Sequence, residues 1–352
     1  MKILVTGTDG YIGVLLAPLL VEGGHTVVGV DTGFYRDGLL YGNDNGGYEQ
    51  VRKDIRQLTA ADLVGFDAVV HLAELSNDPL GQHNPAITYA INHQGSVALA
   101  RACKAAGVSR FVYTSSCSVY GIGGADGVKT EESPPLPQTT YAECKVLVER
   151  DVAALADDNF SPTFLRNATA YGASPRMRFD IVVNNLAGLA WTTGAIKMTS
   201  DGTPWRPLVH VLDIGEAIAA VLAAPREVVH QQIFNVGDTA ANYQIREVAQ
   251  IIADTFPGCR LELGRSDGDN RSYRVSFAKI KERLPAFRCR WSVPMGAEQL
   301  RSIFDRIQMS EQTFRFRTYT RLQQLEHLLT SGQVDDQLYW RQPAASPVRE
   351  LA

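Results

Sequence analysis

Tyr141 and Lys145 stand four residues apart in YAECK, and Ser116 lies 25 residues upstream in SSCSVYG. Four residues is a little over one helical turn, so the phenol and the ammonium leave the same helix face. A cation beside a phenol favours the phenolate. Bringing a tyrosine from about 10 to about 7 takes roughly 4 kcal/mol of differential stabilisation. A buried lysine and one further cation can supply that together. Such a tyrosine exchanges a proton with a hydroxyl or carbonyl near neutral pH. Alone, Y-x-x-x-K also decorates ordinary surface helices, so the surrounding elements decide its meaning.

Those elements begin at the N-terminus. The apolar run KILVT predicts a buried strand, followed by the turn Gly7-Thr-Asp9-Gly10-Tyr11-Ile12-Gly13, a helix over VLLAPLLVEGG and a second strand, TVVGVD, ending at Asp31. Gly7 permits the tight turn, Gly10 a close approach to a pyrophosphate, and Gly13 close packing of helix on sheet. The helix N-terminus then offers unpaired N–H groups to phosphate. Asp31, 18 residues after Gly13, suits the adenosine ribose hydroxyls and repels a 2′-phosphate, which favours NAD over NADP. A bound nicotinamide would be the second cation near Tyr141. Arg36 is close enough in sequence to temper the preference.

Further strand-like runs follow at EQVRKD, FDAVVHLA and RFVYTSS, separated by helical stretches such as PAITYAINHQGSVALARACKAAG. The alternation predicts an α/β fold with a parallel, doubly wound sheet. Asp54 and Ile55, Leu72 and Ala73, and Ser116 fall at strand ends, where cofactor and substrate should meet. Asn92 interrupts a helical pattern; it reads equally as a satisfied buried amide and as a cofactor ligand.

The 352 residues are 45% hydrophobic and 20% charged, with a net charge of −4. This is ordinary globular composition, with no basic excess to suggest nucleic acid. Met1-Lys2 leads directly into the first strand, and no apolar run would span a bilayer. The expectation is a cytoplasmic protein without a membrane partner. Five cysteines without C-x-x-C spacing read as reduced thiols, and seven scattered histidines suggest no metal.

TGTDGYIG, Asp31, KDIR, VVHLAE, INHQGS, YTSSCSVYG, YAECK, LRNATAYG and WRPLVHVLDI, in this order over about residues 1–310, resemble the extended short-chain dehydrogenase/reductase family in its nucleotide-sugar epimerase/dehydratase branch. The resemblance implies a Rossmann-type NAD domain over 1–172, with 206–237 returning to it. A smaller mixed α/β substrate lobe and tail would then take 173–205 and 238–352. It implies Ser116, Tyr141 and Lys145 as catalytic residues, and a homodimer formed through helices near 84–106 and 138–156. On the substrate side it implies Asn185, Arg206 and Arg271, and Ser118 and Thr169 are further candidate substrate contacts. The arginines would hold a dianionic diphosphate, for which guanidinium forks are suited.

Several positions depart from the family pattern. Dehydratases commonly carry Asp-Glu after the serine equivalent to Ser116; here Cys117 and Ser118 follow, which disfavours elimination. Thr169 stands where an asparagine is usual, and 76–85 differs from the best-known galactose epimerases. Cys117 and Cys144 read as packing residues rather than reactive thiols. Beyond about residue 310, Leu322, Leu325, Leu328 and Leu329 share one face of a helix ending at Ser331-Gly332. That helix is expected on the substrate lobe or at a dimer interface. The combined reading is an NAD-dependent nucleotide-sugar 4-epimerase. A 4-keto-sugar ketoreductase is the alternative, and a non-catalytic dinucleotide sensor the reading from another class.

Overall fold

The computed structural model describes residues 1–42, 46–76, 84–121, 127–265 and 272–341. Seven parallel strands form its main sheet: β1 (Lys2–Thr6), β2 (Thr26–Asp31), β3 (Glu49–Arg52), β4 (Ala68–His71), β5 (Arg110–Ser116), β7 (Ser161–Asn167) and β11 (Ile233–Val236), in the order β11-β7-β5-β4-β1-β2-β3. The chain winds outward from β1 in both directions, so a crevice opens between the carboxyl ends of β1 and β4. Ile3, Leu4 and Val5 are fully buried, as a strand covered by helices on both faces requires. One apolar layer joins α1 (Gly13–Glu22) to the sheet; the other joins it to the long helical segment ending in α2 (Ser96–Ala105). This is the doubly wound α/β architecture expected from the alternating pattern.

Helix α3 (Thr140–Ala153) packs on the second face. The Thr139 hydroxyl accepts the Ala142 N–H at 3.2 Å and caps its N-terminus. The lobe contains α4 (Val182–Thr193), α6 (Ile245–Thr255) and α7 (Val293–Arg306) around an apolar cluster including Phe179, Leu300 and Phe304. Between lobe and sheet, β8 (Thr169–Tyr171), β10 (Trp205–His210) and β12 (Asn242–Gln244) form a small sheet, while the short strands β6 (Val128–Lys129) and β9 (Ala195–Lys197) pair with Arg274–Val275 and Arg260–Glu262. After β10 the chain returns to the main sheet through α5 (Val211–Ala223), which packs on α1, and then β11.

The C-terminal helix is α8 (Arg321–Thr330), followed by Gly332 at φ +68°. Its periodicity and its end match the sequence expectation, but within the chain it does not dock on the substrate lobe. Leu325 and Leu328 bury themselves with Val28, Phe34 and Leu58 against the nucleotide-side layer, not against the lobe. Phe314 and Tyr319, just upstream, pack in the lobe. The segment 311–341 therefore straps the two parts together. Its leucine stripe fits the open face beside β2 and β3, a long-range pairing that periodicity does not encode. No helix among the described residues is long and apolar enough to cross a membrane.

Candidate active site

A cavity of about 460 Å³ runs along the carboxyl ends of the strands, from Asp31 and Asp54 at one end to Ser116, Tyr141 and Lys145 at the other. Gly7, Gly10, Tyr11, Ile12 and Gly13 form its floor. At Gly7 (φ +83°) a Cβ would sit 2.9 Å from the Ala73 nitrogen, and at Gly13 it would sit 2.1 Å from the Gly7 carbonyl oxygen. Only glycine permits this backbone cradle. Leu72 and Ala73 form the wall opposite the turn, with Asp54 and Ile55 near Asp31. The Asp31 carboxylate accepts N–H groups from Asp9 (3.0 Å) and Gly33 (2.7 Å). Burial, and then the nearby Asp9 charge, push its pKa above the usual carboxylate range. The glycine cradle and the Asp31 carboxyl thus lie along one wall of the same cavity.

Tyr141 lies in the first turn of α3, where the positive end of the helix dipole favours a phenolate. The Lys145 Nζ is 5.4 Å from the Tyr141 ring centroid. It also donates to the Thr114 carbonyl oxygen at 2.5 Å and contacts a Glu74 carboxylate oxygen at 2.5 Å. Burial opposes the lysine's charge, but Glu74 and then Tyr141 outweigh it and hold its pKa above the ordinary value. The Ser116 Oγ accepts the Ser118 N–H at 3.1 Å. One of its lone pairs is thereby used, and its own hydrogen remains to donate to a substrate oxygen.

Ser118, Thr169 and Arg206 line the same cavity. The Ser118 Oγ and the Asn167 Oδ1 are buried without a hydrogen-bond partner. Such orphaned atoms are uncommon in folded proteins and mark places for a polar ligand. Arg206 sits 5.7 Å from the Tyr273 ring and donates to the Trp205 carbonyl oxygen. Arg271 and residues 77–83 lie outside the described residues.

Three expected contacts are placed elsewhere. The Asn92 amide is spent on Leu75, accepting its N–H at 2.8 Å and donating to its carbonyl oxygen at 2.9 Å. It belongs to the π-helical turn Tyr89–Gly95, and its role is to fix the chain leaving β4. Asn185 donates to the Phe179 carbonyl oxygen at 2.9 Å and is not among the cavity residues. The Asp9 side chain pairs with Arg176 at 3.4 Å, leaving only its N–H to Asp31. Tyr11 keeps its place on the floor but points its hydroxyl to the Gly172 carbonyl oxygen at 2.6 Å. Cys117 and Cys144 are buried, with Sγ atoms directed at the Arg166 and Thr88 carbonyls, and burial pushes both thiols up. They are packing residues, as the sequence suggested.

Other cavity residues escaped sequence reasoning. Glu74 directly follows Ala73 in VVHLAE, and an acid at a buried strand end was the available signal. Arg178 and Arg321 converge on Asp180: the Arg178 Nε donates to one carboxylate oxygen at 2.8 Å, and the Arg321 N–H donates to the other at 3.2 Å. All three line the cavity, yet Arg321 is 143 residues from Arg178 in the chain, and no local motif links them.

A model of the NAD dependent epimerase/dehydratase family matches residues 3–237. The UDP-glucose 4-epimerase of Bacillus subtilis is 28% identical over 331 residues, covering 85% of this chain and 94% of that protein. The structure of MoeE5 in complex with UDP-glucuronic acid and NAD superimposes with a TM-score of 0.74 at 28% identity, covering 87% of this chain and 99% of that one. DesIV, a dTDP-glucose 4,6-dehydratase from Streptomyces venezuelae solved with NAD bound, gives 0.75 at 25% identity, with coverages of 87% and 97%.

Proposed function

The chain belongs to the NAD dependent epimerase/dehydratase family, and from that premise we propose that it is a nucleotide-sugar 4-epimerase. The observation that carries the reading is the make-up of the cavity's reacting end. Ser116, Tyr141 and Lys145 meet there, while the two positions after Ser116 hold a buried thiol and a hydroxyl in place of acids. The carboxylates lining the cavity are otherwise engaged. Asp31 and Asp54 sit at the adenosine end, Asp180 is paired with Arg178, and Glu74 is paired with Lys145. Oxidation and reduction are thus provided for, and water elimination is not.

The glycine cradle and Asp31 would hold the pyrophosphate and adenosine ribose of NAD, and Lys145 the nicotinamide ribose. NAD supplies a hydride acceptor and donor when bound. Tyr141, as phenolate, removes the proton from the sugar 4-hydroxyl as the C4 hydrogen leaves with its electron pair. The Ser116 hydroxyl donates to the same oxygen and holds it beside Tyr141. After the 4-keto sugar turns, Tyr141 returns its proton to the oxygen as hydride is restored on the other face, so no net redox occurs. Arg206 and the orphaned Ser118 and Asn167 oxygens offer contacts to the nucleotide diphosphate and sugar. The relatives named for UDP-glucose, and the neighbour solved with UDP-glucuronic acid, support a UDP-hexose or its uronate as first substrates to try.

Mass spectrometry of the small molecules released by denaturing the purified protein tests this reading. NAD, with or without a nucleotide sugar, is expected. Recovery of NADP in its place, or net consumption of reduced nicotinamide with a keto sugar, contradicts it.

A further inference from the structure

Glu74 is the buried acid beside the catalytic lysine. It is 3% exposed at the side chain, and its two oxygens face different groups: the Lys145 Nζ stands 2.5 Å from one as an ion pair, and the Tyr113 hydroxyl donates to the other at 2.5 Å. Burial raises the pKa of this carboxyl, and the Lys145 charge and the Tyr113 hydroxyl oppose that rise by favouring the carboxylate. Lys145 has three N–H donors; the Thr114 carbonyl takes one, and the Glu74 carboxyl lies at ion-pair contact. A donor is still left for the nicotinamide ribose. The charge that should lower the Tyr141 pKa is therefore cancelled at contact distance.

We propose that Glu74 is a positioning residue whose carboxylate neutralises Lys145, so that the protonation of Tyr141 follows the charge of the nicotinamide and not that of the lysine. The inference rests on the reading above, in which Tyr141 is the acid and base. With Lys145 and Glu74 cancelling, the phenolate forms when the cationic nicotinamide is present and takes up a proton when that charge is lost. Proton and hydride transfer are then tied in both half-reactions. Without Glu74, the bare lysine would keep the phenolate whatever the cofactor's state, and the proton needed at the end of the cycle would be held less firmly.

The other groups facing this centre do not replace that counter-charge. From α3 come Tyr141, Cys144 and Glu149, the last of which is committed to Arg166. From β5 comes Tyr113, kept neutral first by burial and then by Glu74. From β4 comes His71, held neutral first by burial and then by Lys145. Arg178 senses Tyr141 from the lobe side but is bound to Asp180.

The test is titration of ionised tyrosine by ultraviolet difference absorption in cofactor-free protein, with Tyr141→Phe identifying which signal is Tyr141. The isosteric Glu74→Gln should move that titration down by about one pH unit or more, as removal of a nearby negative charge requires. Glu74→Asp should stay close to the native protein. An unchanged titration in Glu74→Gln overturns the proposal. If Glu74→Gln does not fold, the native protein decides by calorimetry in buffers of different ionisation enthalpy. Binding of NAD⁺ should release a proton and binding of the reduced cofactor should not; equal release overturns the proposal. Epimerisation that survives in Tyr141→Phe would instead refute the functional reading.

Discussion

Arg166 and Glu149 form a two-point ion pair directly behind Ser116, Tyr141 and Lys145, with Nη2 2.6 Å from one carboxylate oxygen and Nε 3.0 Å from the other. The Ser115 hydroxyl donates to the same carboxylate at 2.5 Å, and the Arg166 Nη1 donates to the Tyr120 hydroxyl at 3.0 Å. Glu149 lies one turn beyond Lys145 on α3, and Ser115 immediately precedes Ser116. A single buried contact therefore fixes the helix bearing Tyr141 and Lys145, the end of β5 bearing Ser116, and β7.

Glu149→Gln leaves the Arg166 charge in the interior without its partner. Breaking a buried pair in this way typically costs about 3–5 kcal/mol. Urea unfolding of the variant should show a loss of that order. A change within the error of the native midpoint would mean that the pair does not hold the site together.

On the proposed reading, Asp31 should give cofactor binding a pH dependence. Its folded-state pKa is raised, first by burial and then by Asp9, with the N–H groups of Gly33 and Asp9 partly offsetting both. The folded protein therefore holds a proton that the unfolded chain has released, and the group's contribution to stability is lost as pH rises through that folded-state pKa. Ribose hydroxyls donate to the ionised carboxylate, so NAD affinity should climb over the same window. Titration calorimetry should show this rise in the native protein and a weaker, flatter dependence in Asp31→Asn.

The C-terminal strap should govern cofactor retention. The Trp340 Nε1 donates to the Thr32 carbonyl oxygen at 2.8 Å, and the Gln324 Nε2 donates to the Phe34 carbonyl oxygen at 2.8 Å. Both acceptors lie just after Asp31, and Phe34 and Arg321 line the cavity. Trp340→Ala should loosen this wall. The ratio of NAD to protein after gel filtration should fall below that of the native chain while circular dichroism remains native-like; an unchanged ratio would assign the strap to stability alone.

What the sequence revealed depended on how local each signal was. The glycine turn and Asp31 lie within 25 residues, and Tyr141 and Lys145 within one helical turn, so spacing alone placed them. Ser116 was found because a strand end precedes it. Asn92 was undecided for a physical reason: a buried amide looks the same in sequence whether it binds a ligand or, as here, the Leu75 backbone. Asn185 was carried by resemblance to a cavity that its amide does not line. Glu74 stood in plain view in VVHLAE, but its meaning required seeing Lys145 and Tyr113 close around it. The strap's docking on the nucleotide side depended on shape complementarity between distant segments, as did the convergence of Arg178, Asp180 and Arg321.

In the proposed reaction, the hydrogen at the sugar's C4 leaves and returns within the protein while Tyr141 handles only the hydroxyl proton. Incubating the NAD-loaded protein with UDP-glucose, and separately with UDP-glucuronic acid, in deuterated water tests it most directly, with the products examined by NMR. One of these sugars should interconvert with its 4-epimer, with no deuterium on carbon and no net change in nicotinamide. Deuterium incorporated into the sugar ring, or reduced nicotinamide consumed in proportion to product, would contradict it.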